Sequence, residues 1–249
     1  MMMEGRKRKR ATTTIHRTRC KWCTADKLYE SYHDEEWGKK EESGRKLFES
    51  VCLEGHQSGL SWLTILKRRE KYRTAFHGFD AEKMTKLNAE DLIHTCGLVN
   101  HKGKIQSSIN NAKALVKHFG KGRDGEKKFS AFLWSFAKRK EERRARKAND
   151  MCETKTKESE AMSKALKSKG FSFVGATTMH ALMQSAGMID DVHDAGCFLH
   201  ARTAPAKERA KATSTMSAME RRNAKIAEQK RLKMEKLKAW KANRSKSSK

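Results

Sequence analysis

Four groups of residues in this sequence have chemistry in their types and spacing. Cys20 and Cys23 form a C-x-x-C pair, His33 follows ten residues after Cys23, and His193 and Cys197 form an H-x-x-x-C pair far downstream. Zinc takes four thiolate or imidazole ligands in a tetrahedron. Two sets compete for it: Cys20, Cys23, His193 and Cys197, or Cys20, His33, His193 and Cys197. Either would staple the beginning of a domain to its end, and neither leaves a position for a catalytic water. The second group is Cys52-Leu53-Glu54-Gly55-His56-Gln57-Ser58-Gly59-Leu60-Ser61-Trp62, in which one acid sits in an apolar stretch. A carboxylate there is either an exposed helix residue or a buried group that needs a hydrogen bond or a cation.

The third group is aromatic. Trp22, Tyr29, Tyr32, Trp37 and Trp62 crowd into just over forty positions, with only Tyr72, Trp134 and Trp240 elsewhere. Such rings with polar tips suit stacking and edge recognition of a nucleobase, or ordinary core packing. The fourth group runs from Leu92 to Ile105 and reads as a helix, a short Gly-bounded connection, and a second helix opening with Gly103-Lys104, to which Lys102 and Lys104 add charge. A helix start of that kind presents backbone N–H groups to a phosphate.

These groups need a scaffold, and the apolar spacing supplies helices. Residues 45–53 and 60–77 repeat at three and four, as do 103–119, 129–146 and 159–169. Asn88 precedes Ala89, Glu90 and Asp91 as an N-cap with first-turn acids, and Gly170 suits a C-cap. Alternating strand patterns are scarce, so the expected class is all-α. Gly122-Arg123-Asp124-Gly125 reads as an exposed turn, and 138–157 as part helix and part linker.

Charge sets the partner class. The 249 residues carry 56 Lys+Arg against 30 Asp+Glu, a formal net charge of +26. That excess points to a polyanion, most simply DNA or RNA. No apolar run approaches the ~18–20 residues of a membrane helix, and the basic start is no secretory signal. Six cysteines fit a reducing compartment better than a disulfide framework. The charge is concentrated at the ends. We expect a basic tail over 1–18, a globular domain over 19–205 and a basic, partly helical extension over 206–249. Arg6-Lys7-Arg8-Lys9-Arg10 fits a nuclear import signal, a solvated arm or part of an organelle transit peptide. A nucleus is expected if the source is eukaryotic, with a mitochondrion or other organelle as the alternative, and otherwise the cytoplasm. No apolar stripe is left over for a partner, so a monomer is expected.

Taken in order, the strings resemble the 3-methyladenine DNA glycosylase I family. They are Arg19-Cys20-Lys21-Trp22, Tyr32-His33-Asp34-Glu35-Glu36-Trp37-Gly38, Leu47-Phe48-Glu49, and Cys52 to Gly55 with Gly59 to Trp62. They continue with Gly97-Leu98, Gly103-Lys104-Ile105, Phe132 to Phe136, Ala161 to Lys167, Gly170 to Thr177 and His193 to Cys197. The resemblance covers roughly 19–200. It implies an all-α helix–hairpin–helix fold and a structural zinc site joining the two ends of the domain. It puts the zinc ligands on Cys20, His33, His193 and Cys197. It puts the base-recognition carboxylate on Glu54, the pocket aromatics on Trp22, Tyr29, Tyr32 and Trp62, and DNA contacts on Gly97, Lys102, Gly103 and Lys104. The implied activity is release of 3-methyladenine from alkylated double-stranded DNA by hydrolysis of the N-glycosidic bond.

This chain departs from the family at Cys23, at His56 and Ser58 beside the pocket strip, and at Met179 and His180. His56 is expected to charge near pH 6–7 and to oppose a cationic base. Two other functions compete with hydrolysis. One is a zinc-stabilised helical module that holds nucleic acid without chemistry. The other is a glycosylase that also cuts the strand, with Lys104 as Schiff-base nucleophile and Asp124, twenty residues later, as its acid.

Overall fold

The computed structural model describes residues 18–95, 97–137, 154–189, 193–194 and 196–199. The tails expected over 1–18, Thr18 apart, and over 206–249 lie outside these residues, as does the helix expected to continue past Ala137 to Arg146. Among the described residues every regular element is a helix. They are α1 (Lys27–Glu35), α2 (Gly44–Gln57), α3 (Trp62–Leu66), α4 (Arg69–Ala75) and, after a 3-10 turn at His77–Phe79, α5 (Ala81–Met84). Then come α6 (Ala89–Thr95), α7 (Lys102–Phe119), α8 (Gly122–Trp134), α9 (Lys157–Ser168) and α10 (Ala176–Ser185).

Helix α2 is the axle of the fold. Ser43 caps it, accepting from the Lys46 N–H, and Leu47, Phe48, Val51, Cys52 and Leu53 are all buried. It packs against α3, α7, α8 and α10. A helix surrounded in this way is apolar nearly all round, which is how Glu54 and His56 come to be carried inside. Gly44 lets α2 start directly on α8: a Cβ there would lie 1.9 Å from the Glu126 carbonyl oxygen. Tyr72, Phe76, Phe79 and Phe129 fill the core around it.

Three local expectations need correction. The helix expected over 60–77 is two helices, because the chain turns at Lys67–Arg68. The Lys67 N–H bonds to Leu63 and Ile65 carbonyls, and Arg68 sits at φ −104°, ψ −2°, outside the helical run. The exposed turn expected at Gly122–Gly125 is the first turn of α8. Glycine is needed at 125 because a Cβ would lie 2.1 Å from the Gly120 carbonyl oxygen. Accordingly the helix expected from Phe129 starts at Gly122. The C-cap at Gly170 is as expected: at φ +85° it donates to the Lys167 carbonyl at 2.9 Å while Phe171 N–H reaches Leu166 at 3.1 Å, a Schellman ending.

Candidate functional site: an aromatic pocket beside a Cys/His cluster

Helix α1 sets the first wall. Asp26 caps it through the Leu28 and Tyr29 N–H groups. Spacing of three and four then puts Tyr29, Tyr32 and His33 along one face. Trp22 closes on that face, with ring centroids 5.1 Å from Tyr29, 6.4 Å from Tyr32 and 5.2 Å from His33. Trp37 follows the helix and packs 5.2 Å from Trp22 and 6.1 Å from Tyr32. Trp62, at the start of α3 after its Ser61 cap, lies 5.5 Å from Tyr32.

These rings enclose a cavity of about 240 Å³, lined also by Glu54, Gln57, Ala181, Gln184 and Asp194. That is below the ~300–1,000 Å³ that holds a drug-sized ligand, and suits one flat heterocycle. Glu54 is 4% exposed and finds no hydrogen-bond partner among the described residues. Burial pushes its carboxyl up to about 8. Around it, the buried indole N–H groups of Trp37 and Trp62 have no hydrogen-bond partner among the described residues. The cavity is therefore an aromatic box with one buried acid, Glu54, and two unspent donors. Such a box can hold a planar, electron-poor ring by its faces and a positive ring by its acid. Trp37 belongs to it although sequence reasoning placed only Trp22, Tyr29, Tyr32 and Trp62 there. The aromatic crowding around it was the available signal. Gln57 and Gln184 carried none.

The same elements hold the cysteines and histidines. Cys20, His33, His193 and Cys197 are all buried and offer ligand atoms within 4.8 Å of one another. Cys20 Sγ is 3.5 Å and Cys197 Sγ 3.8 Å from His193 Nδ1, and Cys197 Sγ is 3.4 Å from His33 Nε2. A tetrahedron with Zn–S of 2.3 Å and Zn–N of about 2.0–2.1 Å has S···N edges of roughly 3.5 Å, so the donor set fits a metal. Supporting bonds surround it. His33 Nδ1 meets Asp34 Oδ1 at 2.8 Å, and Asp34 is gripped by Arg19 at 2.9 and 2.8 Å. The Asp194 and Leu199 N–H groups donate to the Cys20 and Cys197 sulfurs at 3.3 and 3.4 Å. Hydrogen bonds from Cys20 and then His193 pull the Cys197 thiol below its usual range. A bound metal would hold both sulfurs as thiolates. Of the two competing sets, the structure assembles the one with His33. Cys23 Sγ instead faces the Thr24 carbonyl at 3.8 Å.

The fourth predicted region is the α6–α7 pair. Gly97 has φ +60°. His101 caps α7, accepting the Lys104 N–H on Nδ1 at 3.3 Å. Gly97, Lys102 and Gly103 are exposed, and Lys102 pairs with Glu90. Lys104 is different. Its Nζ is buried and donates to the carbonyls of His56 at 3.0 Å and Ser58 at 2.5 Å. Its charge therefore caps the end of α2, and burial lowers its pKa. Lys104 is one of the expected DNA contacts, and in this structure its ammonium is turned to the His56 and Ser58 carbonyls. Nothing among the described residues favours the Schiff-base reading: Asp124 is exposed on α8 and pairs with Lys128 at 2.8 Å. His56 needs correction. It is buried between the Tyr72 hydroxyl and Ser108 Oγ, both at 3.0 Å. Burial, then the nearby Lys104 charge, hold it down to about 3, so it is neutral and does not oppose a cation in the pocket.

The methyladenine glycosylase family profile matches residues 22–200. The chain belongs to the methyladenine glycosylase family. It is 46% identical over 189 residues to a DNA-3-methyladenine glycosylase of Haemophilus influenzae, covering 72% of this chain and 97% of that one. It is 43% identical over 182 residues to DNA-3-methyladenine glycosylase 1 of Escherichia coli, covering 72% and 95%. The fold superposes on a crystal structure of 3-methyladenine DNA glycosylase I with a TM-score of 0.65 at 42% identity, over 74% of this chain and all of that one. A Staphylococcus aureus 3-methyladenine DNA glycosylase I matches with a TM-score of 0.61 at 32% identity, over 72% and 95%. No helix among the described residues is long and apolar enough to cross a membrane.

Proposed function

We propose that this protein is a base-excision-repair glycosylase that releases 3-methyladenine from alkylated double-stranded DNA. The observation that carries this reading is Glu54, a buried acid without a hydrogen-bond partner among the described residues, facing a box of five aromatic rings in a chain of this family. Methylation at N3 gives adenine a positive charge and makes it a good leaving group. A flipped base costs a few kcal/mol to unstack. Contact of a cationic ring with an aromatic face returns ~0.5–2 kcal/mol.

Glu54 adds the discriminating step. Before a base enters, burial holds its carboxyl up to about 8, which favours the protonated form at neutral pH. A cationic base favours the carboxylate, so the proton passes to solvent as the ion pair forms. Normal adenine is neutral and gains no such pairing. Water then adds to the sugar C1′ as the C1′–N9 bond breaks, its surplus proton goes to solvent, and the base departs as a neutral molecule.

Cys20, His33, His193 and Cys197 would hold one zinc ion, which supplies a four-coordinate cross-link and no reacting group. The α6–α7 pair acts as a helix–hairpin–helix phosphate contact, through Gly97, Lys102 and the first N–H groups of α7. We assign the protein as a monomer.

The test is chromatography of bases freed from duplex DNA treated with a methylating agent. Release of 3-methyladenine by the wild type, and a sharp fall in Glu54→Ala, is the expected result. DNA binding without release by zinc-loaded protein would replace this reading with the non-catalytic binding module.

A further inference from the structure

We propose that Phe173 is a DNA-contacting residue whose ring stacks on the duplex between the start of α7 and the base pocket. This inference rests on the function proposed above.

Three large apolar side chains among the described residues are exposed: Leu28, Leu60 and Phe173, the last at 39%. Phe173 alone of these has φ +55°, in the left-handed region. A phenylalanine is strained there, whereas glycine is not. The fold gains less from a strained ring left partly in water than from a buried one, so the conformation points to a use outside the fold.

The strain is held in place by buried groups on both sides. Asn111, buried on α7, accepts the Ser172 N–H at 2.8 Å and donates to the Ser172 carbonyl at 3.1 Å. Ser163, buried on α9, donates to the Val174 carbonyl at 2.6 Å. Phe171 stacks on Phe129 at 5.8 Å and Val174 is fully buried. The segment is therefore nailed down at 171, 172 and 174, and only the ring of 173 faces out.

Its neighbours identify the occupant. The ring stands edge-on to His101, the cap of α7, with centroids 6.4 Å apart. Its backbone lies against α2 at Gly55, where a Cβ would come within 3.1 Å of the Phe173 Cβ. Gly55 adjoins Glu54. One exposed ring thus borders both the helix start assigned to phosphate and the helix that carries the pocket acid. Nucleic acid is the ligand whose flat bases match such a platform and whose charge matches a net +26 chain.

The experiment uses the full zinc-loaded chain and a duplex bearing one abasic-site analogue. Phe173→Gly removes the ring and suits this φ, and Phe173→Asn is a second non-aromatic residue that tolerates it. Both should weaken duplex binding by about 5- to 150-fold, the range given by loss of one base–aromatic stack. Phe173→Tyr should restore it. Quenching of tryptophan fluorescence by free 3-methyladenine should be the same in all four proteins. Duplex affinity unchanged in Phe173→Gly and Phe173→Asn would overturn the inference, as would equal weakness in Phe173→Tyr. Failure of the wild type to release base from methylated DNA would overturn the functional reading instead, and would leave the duplex comparison to decide Phe173.

Discussion

Replacing Glu54 with glutamine should stabilise the free protein, by an amount that depends on pH. Burial raises this carboxyl from 4.5 to about 8. A raised acid contributes stability that is fully present below its unfolded pKa and lost as pH climbs through its folded pKa. At 1.36 kcal/mol per decade the full loss is about 5 kcal/mol above pH 8. Near pH 6 it is about 2 kcal/mol. The amide has nearly the same shape and does not titrate. Urea unfolding of both proteins at intervals from pH 4 to pH 9 gives the difference directly. Histidine and cysteine titrations are common to both chains and cancel. The expected difference curve rises from a constant baseline at pH 4 and levels off above pH 8, in favour of Glu54→Gln. The same variant should lose most of its base release. A flat difference curve would refute the reasoning, because it would mean that the carboxyl is solvated, or already paired, in the folded protein.

Three further outcomes follow from the geometry. Wild-type kcat/KM on methylated duplex should rise with pH up to about 8, as Glu54 loses its proton more readily, and the rise should vanish in Glu54→Gln; pH–rate profiles of the two check this. Metal analysis should find one zinc per chain, lost in Cys20→Ser or His33→Ala with a lowered Tm and kept in Cys23→Ser, whose sulfur faces a carbonyl. Lys104→Met should destabilise the fold by about 2 kcal/mol through unpaired carbonyls and leave the salt slope of DNA binding unchanged, whereas Lys102→Ala should leave stability alone and cut that slope by about 1.

The helices around the site were legible because their apolar repeats are long, as in α7, where Ile105, Ile109 and Ala112 line one side. The same repeat runs through Lys104, Ser108 and Ala112, so the burial of Lys104 was written in its position even though its type suggested a surface charge. Likewise His56 stands four residues after Cys52 on a helix buried almost all round. The choice between Cys23 and His33 could not be read from spacing. It depends on a turn, closed by the Cys23 N–H on the Cys20 carbonyl at 2.9 Å, and on α1 swinging His33 back to the same point. Gly125 misled for a different reason: two glycines favour a loop locally, but here one of them admits a backbone contact that only the tertiary structure creates.

The cluster that anchors Trp22 has two members at residues 20 and 33 and two at 193 and 197. During synthesis the chain emerges at ~5–20 residues per second, N-terminal part first. Glu54 and all five pocket rings are therefore off the ribosome long before His193 and Cys197 exist to close the cluster. Asp194, which lines the cavity and accepts the Lys21 N–H at 2.7 Å, arrives with them. A nascent or prematurely terminated chain thus carries every pocket ring without the Cys/His cluster beside Trp22, and the lining of the cavity is complete only when Asp194 has been made.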